Sequence, residues 1–179
     1  MARFQTGANG AVNYCNRDSK FPRNIDVSHF KMSQTSILFG HINCRGIEVI
    51  EDSGISRADI IQGIMIRRGI PICSVVETHL IRKSKPKLCS HFEWYGEGRD
   101  NGWGGTGILA HNFLDCVDVT KKIRGRMKLE CTFVSCQLFS KTFLFGSVYL
   151  PPDKNSDHIS VFLKILSKIV KLDYDFVFM

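Results

Sequence analysis

The sequence has no long apolar segment. No hydrophobic run approaches the roughly 20 residues that a membrane-spanning helix requires, and the amino terminus, MARFQTGANGAVNYCNRDSK, has no apolar core of a secretory signal. These two absences argue against a membrane protein and against secretion. We therefore expect a soluble, intracellular protein of the cytoplasm, the nucleus or both.

Paired cysteines are also missing. The chain has seven cysteines, an odd number, and no two of them form a Cys-x-x-Cys pair. A disulfide-stapled domain or a zinc module would show an even set or such pairs. We therefore expect reduced thiols, most of them buried as small apolar side chains.

Negative charge is in the minority. Twenty-four Lys and Arg stand against 17 Asp and Glu, which gives a net charge of +7 and suits an anionic partner. The positive residues concentrate in two clusters, IRKSKPK and KKIRGRMK, and either cluster alone is also typical of a solvated loop. Together they favour nucleic-acid binding, and the predicted contacts are Arg45, Arg82, Lys83, Lys85, Lys121, Lys122 and Arg124.

The length fits one domain. With 179 residues, 44% of them hydrophobic, the chain can bury one sizeable core. Residues 1–35 are polar and follow neither the helical nor the strand period, so we expect a mostly disordered lead-in. The predicted domain comprises residues 36–179.

The domain begins with a predicted strand, helix, strand unit. SILFGHINCRG and PICSVVE predict two buried strands. Between them, SRADIIQGIMIRRG predicts a helix with Ser56 as N-cap and Gly69 as its end. Its predicted apolar face comprises Ile60, Ile61, Ile64 and Met65. A unit of this kind gives parallel pairing of its strands.

Short strands then follow one another. The segments rich in β-branched and aromatic residues predict mainly antiparallel strands; they are HFEWYGE, GWGGTGILAHNFL, CVDVTKKI, KLECTFVSCQL and KTFLFGSVYL. SDHISVFLKILSKIVKL predicts a second helix, with Ser156 or Asp157 as its cap. DYDFVFM predicts one more strand.

An acidic residue ends the apolar segment PICSVVETHL. Glu77 follows a run that predicts a buried strand, where a carboxylate is unfavourable unless it is paired, hydrogen-bonded or bound to a cation. The residues leave two explanations open: an ion pair with Arg45 or a nearby lysine, or a site for a hard metal ion.

Four motifs, taken in order, resemble those of the endonuclease/exonuclease/phosphatase superfamily. They are the Asn of HINCRG, the Glu of VVETHL, the Gly-rich GWGGTGILAHN and the Tyr-x-Pro of SVYLPPD. The chain looks most similar to the apurinic-type endonuclease domain of non-LTR retrotransposon polyproteins. The resemblance implies an α/β fold, a four-layer sandwich incomplete at its carboxy-terminal side. It also implies Mg²⁺-dependent hydrolysis of DNA, with Mn²⁺ as an alternative ion and a reverse transcriptase as partner in full-length relatives.

The resemblance also implies roles for three residues at strand ends. Glu77 matches the family's metal ligand, and Asn43 matches the asparagine that helps to hold the metal and the scissile phosphate. Tyr149 matches the tyrosine beside the phosphate. Each has a plain structural alternative, with Asn43 as a turn residue and Tyr149 as a packed aromatic. His79 has no catalytic counterpart and is expected to be structural or near the DNA.

Two departures from the family pattern affect the expected chemistry. Pro152 stands where related endonucleases often carry asparagine, which removes one expected polar contact to nucleic acid. The family's Gly-Asp-Phe-Asn segment and later Asp-His pair have no match before Met179, and His158 comes too early to serve. We therefore expect a fragment of the domain that is inactive alone.

Two other functions fit the same residues. A non-catalytic module could hold nucleic acid through its basic segments alone. A phosphomonoesterase of the same superfamily would act on a small phosphate ester rather than on supercoiled DNA.

Overall fold

The computed structural model of the protein describes residues 11–13, 24–26, 37–138, 140–151, 156–172 and 174–178. Most of the expected lead-in, residues 1–35, lies outside the described residues, so its predicted disorder stays a prediction. Two short strands within it, β1 (Ala11–Asn13) and β2 (Asn24–Asp26), pair antiparallel. No helix in the described part of the chain is long and apolar enough to cross a membrane.

The described residues after position 36 form strands and helices. In chain order these are β3 (Phe39–Asn43), α1 (Arg57–Arg68), β4 (Ile72–Val76), β5 (Phe92–Glu97), β6 (Thr106–His111), β7 (Val117–Asp118), α2 (Thr120–Arg124), β8 (Glu130–Leu138), β9 (Lys141–Tyr149), α3 (Ser156–Ile169) and β10 (Asp175–Phe178). A short 3₁₀ helix, Asn112–Leu114, follows β6.

Strands β3 to β10 form two four-stranded sheets. The first sheet has the order β3-β4-β6-β5, with β3 and β4 parallel and the other pairs antiparallel. The second has the order β10-β9-β8-β7, with β10 parallel to β9 and the other pairs antiparallel. The predicted α/β class, the parallel first unit and the mainly antiparallel strands after it are confirmed.

Three apolar clusters hold four layers together. The first lies between α1 and the first sheet, the second between the two sheets, and the third between the second sheet and helices α2 and α3. Fully buried members of these clusters are, in that order, Met65 and Leu109, Ile108 and Phe145, and Phe133 and Ile165. This helix, sheet, sheet, helix order is the predicted four-layer sandwich.

Helix α1 begins and ends as predicted, but its buried face is different. Ser56 accepts a hydrogen bond from the main-chain nitrogen of Asp59, and Gly69 ends the helix in the left-handed conformation. The buried stripe comprises Ala58, Ile61, Gln62 and Met65. Because a helix advances 3.6 residues per turn, Ile60 and Ile64 lie beside this stripe and are 37% and 38% exposed. Including them in the apolar face was wrong.

The segment after β6 also differs from its prediction. The run CVDVTKKI gives only the two-residue strand β7, and the chain then turns into α2. Asp118 Oδ1 accepts a hydrogen bond from the Thr120 nitrogen at 2.8 Å and starts this turn, and Ile123 buries itself in the third cluster. The second basic cluster therefore begins on a short helix rather than on a loop.

Candidate active site

The three predicted site residues lie at the same end of the two sheets. Strands β3 and β4 pair parallel with Asn43 opposite Val76, so Asn43 ends one strand beside the point where Glu77 follows the other. Tyr149 ends β9 in the second sheet. Its hydroxyl donates a hydrogen bond to Glu77, with 3.4 Å between Tyr149 Oη and Glu77 Oε1.

Buried hydroxyl groups fix the two sheets against each other near this end. Two bridges cross the interface: Ser74 to Ser147 at 2.7 Å and Thr106 to Thr132 at 3.1 Å. A buried hydroxyl without a partner is unfavourable, so each bridge favours one alignment of the sheets. Glu77 and Tyr149 come three and two residues after the serine pair, and this alignment places them in contact.

The backbone around Glu77 is strained. Glu77 has φ +53° and His79 has φ +52°, in the left-handed region that residues with a side chain rarely adopt. Such conformations persist only where the surroundings hold them, and they cluster at functional sites. Main-chain hydrogen bonds supply that support: Gly46 N to Glu77 O, Ile47 N to Thr78 O, Thr78 N to Gly105 O and His79 N to Gly104 O.

The glycines of the Gly-rich motif are required because this loop packs closely against neighbouring side chains. Gly105 has φ +90°, and a Cβ atom there would lie 2.5 Å from Thr78 Oγ1. Gly104 has φ +72°, and its Cβ would lie 2.8 Å from Glu130 Oε2. Only glycine allows this loop to pack against the residues beside Glu77.

An ion pair that the sequence did not predict braces the same loop. Arg99 Nη1 lies 2.9 Å from Glu130 Oε1, and Glu130 Oε2 accepts a hydrogen bond from the Gly105 nitrogen at 2.7 Å. Arg99 also donates to the Trp103 carbonyl at 3.0 Å. The pattern that predicted Glu77, an acidic residue beside an apolar strand, could also have identified Glu130, which begins β8.

The loop that carries Asn43 is held by Arg57. Arg57 Nη1 donates to the Cys44 carbonyl at 2.9 Å and also to the Arg45 carbonyl. The Asn43 side chain accepts a hydrogen bond from the Arg45 nitrogen at 3.2 Å. Asn43 thus makes the hydrogen bond expected of a turn residue. The second lone pair of its side-chain oxygen stays available to another ligand.

The alternative explanation of Glu77 as an ion-paired residue finds no support. Within the part of the chain that the structure describes, the ion pairs do not include Glu77, with Arg45 or with any lysine. Its partner is the neutral phenol of Tyr149. Burial and then the negative charge of Glu77 raise the pKa of Tyr149 above its usual value, so this phenol remains a hydrogen-bond donor at neutral pH.

The donor set fits a hard cation better than a soft one. The Glu77 carboxylate and the Asn43 amide offer oxygen ligands at neighbouring strand ends. Mg²⁺ in proteins is commonly held by one or two carboxylates and keeps several waters. Among the described residues there is no group of three or more His, Cys, Asp or Glu side chains that could enclose a metal ion, and zinc usually requires such a set.

A basic groove of about 550 Å³ opens beside Tyr149. Its charged lining consists of Arg99, Arg124, Arg126, Lys128 and Glu130, together with His158. Four permanent cations against one carboxylate, itself paired with Arg99, leave a positive surface next to Glu77. Phosphate groups of a nucleic acid suit such a surface.

Only some of the residues predicted to contact nucleic acid line this groove. Arg124 lines it, and Lys121 lines an adjoining cavity of about 120 Å³. Lys122 lies elsewhere, with its Nζ 5.9 Å from the centre of the Tyr174 ring. The remaining predicted contacts are exposed and do not line the groove: Arg45, Arg82, Lys83 and Lys85.

An exposed aromatic side chain stands at the rim of the site. Trp103 is 68% exposed, and its ring centre lies 5.3 Å from that of His79. The main-chain nitrogen of Trp103 donates a hydrogen bond to Asn101 Oδ1 at 3.2 Å, which helps to fix the loop. Trp103 lies in the Gly-rich motif but received no predicted role there; a large aromatic side chain among glycines was the available signal.

Solved structures with the same fold include two endonucleases. The chain is similar to the endonuclease domain of TRAS1, a telomere-specific non-LTR retrotransposon, with a TM-score of 0.53 and 12% identity over 78% of this chain and 57% of that one. It is also similar to the AP endonuclease LMAP from Leishmania major, with a TM-score of 0.63 and 10% identity over 94% of this chain and 59% of that one. No protein-family model and no curated protein matches the sequence.

A third structure gives the fold its family name. The chain is similar to an endonuclease/exonuclease/phosphatase family protein from Leptotrichia buccalis, with a TM-score of 0.54 and 7% identity over 80% of this chain and 67% of that one. The predicted resemblance is confirmed at the level of the fold. The chain spans less than two thirds of the TRAS1 and LMAP structures.

Proposed function

We propose that this chain is the amino-terminal part of a Mg²⁺-dependent endonuclease domain that hydrolyses DNA phosphodiester bonds, with Mn²⁺ as an alternative ion. The observation that carries the proposal is the meeting of Asn43, Glu77 and Tyr149 at one end of the two sheets, beside the basic groove. The fold shared with the TRAS1 endonuclease domain supports a retroelement setting. There, the rest of the domain and a reverse transcriptase would be the partners, and target DNA the substrate.

Each residue has a role that follows from its chemistry. Glu77 and Asn43 would hold the ion, which when bound supplies positive charge to the scissile phosphate and acidifies a water molecule. When DNA is bound, the single hydroxyl proton of Tyr149 would turn from Glu77 toward the charge that develops on the phosphate oxygens. The basic groove holds the flanking phosphates and so keeps the strand in place.

Hydrolysis also requires a group that orients the attacking water, because positioning supplies most of the catalysis in phosphoryl transfer. None of Asn43, Glu77 and Tyr149 has this role. We therefore propose that residues outside this chain complete the site, in keeping with the 57% of the TRAS1 domain that the chain spans.

The metal site can be tested without catalysis. Mn²⁺ at low stoichiometry should first broaden the amide NMR signals of Asn43 and Glu77 and of their immediate neighbours. Glu77→Gln should abolish this selectivity, because it removes the charged ligand while it keeps the shape. The matched control is Asp175→Asn. Asp175 lies near the other end of β9, and its carboxylate pairs with Lys141 at 3.3 Å. Equal broadening in wild type and Glu77→Gln would contradict the assignment.

Catalysis is tested with supercoiled plasmid and Mg²⁺. The chain of residues 1–179 should leave the plasmid intact, whereas a form extended by the residues that complete the domain should nick it. Glu77→Ala in the extended form should abolish nicking. Nicking by residues 1–179 that Glu77→Ala abolishes would contradict the need for further residues, and nicking that survives Glu77→Ala would contradict the role of Glu77.

The basic groove supports one other candidate function, a module that binds nucleic acid without cutting it. That module would bind DNA equally well with Mg²⁺ and with a chelator, and its extended form would not nick. A phosphomonoesterase would release phosphate from a small ester, and the same proteins can be assayed for that release.

A further inference from the structure

Two cysteines face each other across the edge of the second sheet. Strand β7 pairs with β8 with Val117 opposite Ser135 and Asp118 opposite Val134. One more step in this antiparallel register places Cys116 opposite Cys136. Both side chains pack into the cluster between the two sheets, so they point to the same face.

The pair is of the kind that a disulfide can join. The Val119 nitrogen donates to the Phe133 carbonyl at 2.9 Å, and in an antiparallel ladder hydrogen-bonded and non-hydrogen-bonded pairs alternate. Cys116 and Cys136 therefore form a non-hydrogen-bonded pair, in which the Cα atoms of a typical ladder are about 4.5 Å apart. That spacing lies within the roughly 4.4–6.8 Å that disulfides span.

The two thiols also influence each other, since the side chain of Cys136 is the largest of the causes that raise the pKa of the Cys116 thiol. Other described cysteines of the sheets have different neighbours, since Cys131 lies opposite Val148 and Cys73 opposite Leu109. Among the cysteines of these strand pairs, the register thus places only Cys116 and Cys136 opposite each other.

We propose that Cys116 and Cys136 form a reversible intramolecular disulfide, a modification site that is independent of the proposed nuclease function. The co-reactant is a low-molecular-weight disulfide such as oxidised glutathione. The thiolate of the more accessible Cys116 attacks it, which forms a mixed disulfide and releases one reduced thiol. The Cys136 thiolate then attacks the Cys116 sulfur and releases a second reduced thiol. The two cysteines lose two electrons and two protons, and the co-reactant gains them.

The crosslink would enclose the second basic cluster. Residues 117–135 lie between the two cysteines, and they include α2 and three basic residues of the groove, Arg124, Arg126 and Lys128. Strand β7 is only two residues long and lies at the edge of its sheet. A disulfide at its start fixes both ends of this segment, and it also restricts the unfolded chain.

The chemistry predicts a slow reaction that is faster at higher pH. The hydrogen bond to Cys136 and burial both raise the pKa of the Cys116 thiol above its usual value. Because the thiolate is the attacking species, little of it exists at neutral pH. The disulfide should therefore form faster at about pH 9 than at about pH 7.

Peptide mapping of the whole chain tests the proposal. The protein is incubated with oxidised glutathione, blocked with N-ethylmaleimide under denaturing conditions, digested with trypsin and analysed by mass spectrometry. Trypsin cleaves within the enclosed segment, so the disulfide joins two separate peptides. We expect one dominant linked pair, Cys116 with Cys136, that a reductant separates. Recovery of both cysteines as maleimide adducts, or a mixed disulfide on Cys116 that persists, would overturn the proposal.

Serine variants provide the matched comparison. Cys136→Ser should abolish the linked pair, whereas Cys131→Ser, on the same strand, should retain it. Linkage of Cys116 to another cysteine in the wild type, at a yield equal to that with Cys136, would also overturn the proposal. The wild-type map gives its answer even if a variant fails to fold.

Discussion

Tyr149 donates a hydrogen bond to Glu77 across the interface of the two sheets, with 3.4 Å between the two oxygen atoms. The residues are 72 positions apart in the chain; Tyr149 ends β9 of the second sheet, and Glu77 directly follows β4 of the first. The buried bridge from Ser74 to Ser147 lies just inside this contact. The contact between Tyr149 and Glu77 therefore depends on the packing of the two sheets. A measurement of this contact tests both the candidate site and the fold.

The first prediction concerns the ionisation of Tyr149. Burial and the charge of Glu77 raise the pKa of Tyr149, so Glu77→Gln, which removes that charge, should let the phenol ionise at a lower pH. Ultraviolet absorbance titration measures this shift, and subtraction of the Tyr149→Phe curve isolates the signal. Asp175→Asn should leave the curve as in wild type. An unchanged curve in Glu77→Gln would show that the two side chains do not interact in solution.

The second prediction separates backbone strain from close approach. Gly54 and Gly105 both have positive φ, +73° and +90°, but a Cβ atom at Gly54 would meet nothing within 4 Å. Gly54→Ala should destabilise the fold by about 1 kcal/mol through the backbone alone. Gly105→Ala should lose about 1–3 kcal/mol more, because its methyl group would press on Thr78. Urea denaturation measures both, and equal losses would contradict the tight packing at Gly105.

The third prediction uses the contrast between the two tryptophans of the chain. Trp94 is 7% exposed and Trp103 is 68% exposed. If DNA binds across the site, its bases should reach Trp103, and stacking should quench its fluorescence. Trp94→Phe leaves Trp103 as the emitter, while Trp103→Phe provides the control that should not respond. DNA binding by anisotropy without any quenching in Trp94→Phe would place the DNA elsewhere.

The sequence could predict Glu77 because a carboxylate at the end of an apolar strand is unfavourable without a partner. That reasoning concerns one position and its neighbours. The function of Glu130 depends on its contacts with Arg99 and Gly105, which lie 31 and 25 positions earlier in the chain. No local pattern specifies which strand end meets which loop, and so this brace was missed.

Helix α2 was missed for a different reason. Val119 precedes the helix and Thr120 begins it, and both are β-branched residues that favour strands. The structure gives them a turn because Asp118 bonds to the Thr120 nitrogen and Ile123 is buried against the second sheet. Tertiary contacts outweigh a weak local preference in so short an element.

The fourth prediction distinguishes the two basic clusters. DNA binding should weaken steeply with salt, because lysine and arginine side chains that contact phosphates release the counterions of the DNA. Arg126→Gln with Lys128→Gln removes two charges from the groove, whereas Lys83→Gln with Lys85→Gln removes two exposed charges outside it. The groove variant should lower the slope of log affinity against log salt by about 1 per lost phosphate contact.

Fluorescence anisotropy with a labelled duplex at several salt concentrations gives these slopes. The variant outside the groove should change affinity and slope less than the groove variant does. Equal losses would show that the groove is not the main contact surface, and an affinity of the wild type that is unchanged between low and physiological salt would exclude both clusters.

The last prediction concerns acid stability and rests on a buried histidine. His111 is 1% exposed, and its ring centre lies 6.0 Å from that of His91. Burial, and then the charge of His91, lowers the pKa of His111 from 6.5 to about 4, and burial also lowers the pKa of His91. At His111 the unfolded chain therefore binds a proton below about pH 6.5, whereas the folded chain binds it only near pH 4.

The sign of the pH dependence follows from this difference. Because the unfolded state binds more protons in this range, the free energy of unfolding is at its full value above about pH 6.5 and falls as the pH drops toward 4. The part due to His111 is on the order of 3 kcal/mol at most. Urea denaturation at pH 7, 5.5 and 4.5 should show the fall, and His111→Gln, which keeps an acceptor for the Phe113 nitrogen, should make it shallower. The same slope in both proteins would mean that His111 binds its proton equally well folded and unfolded.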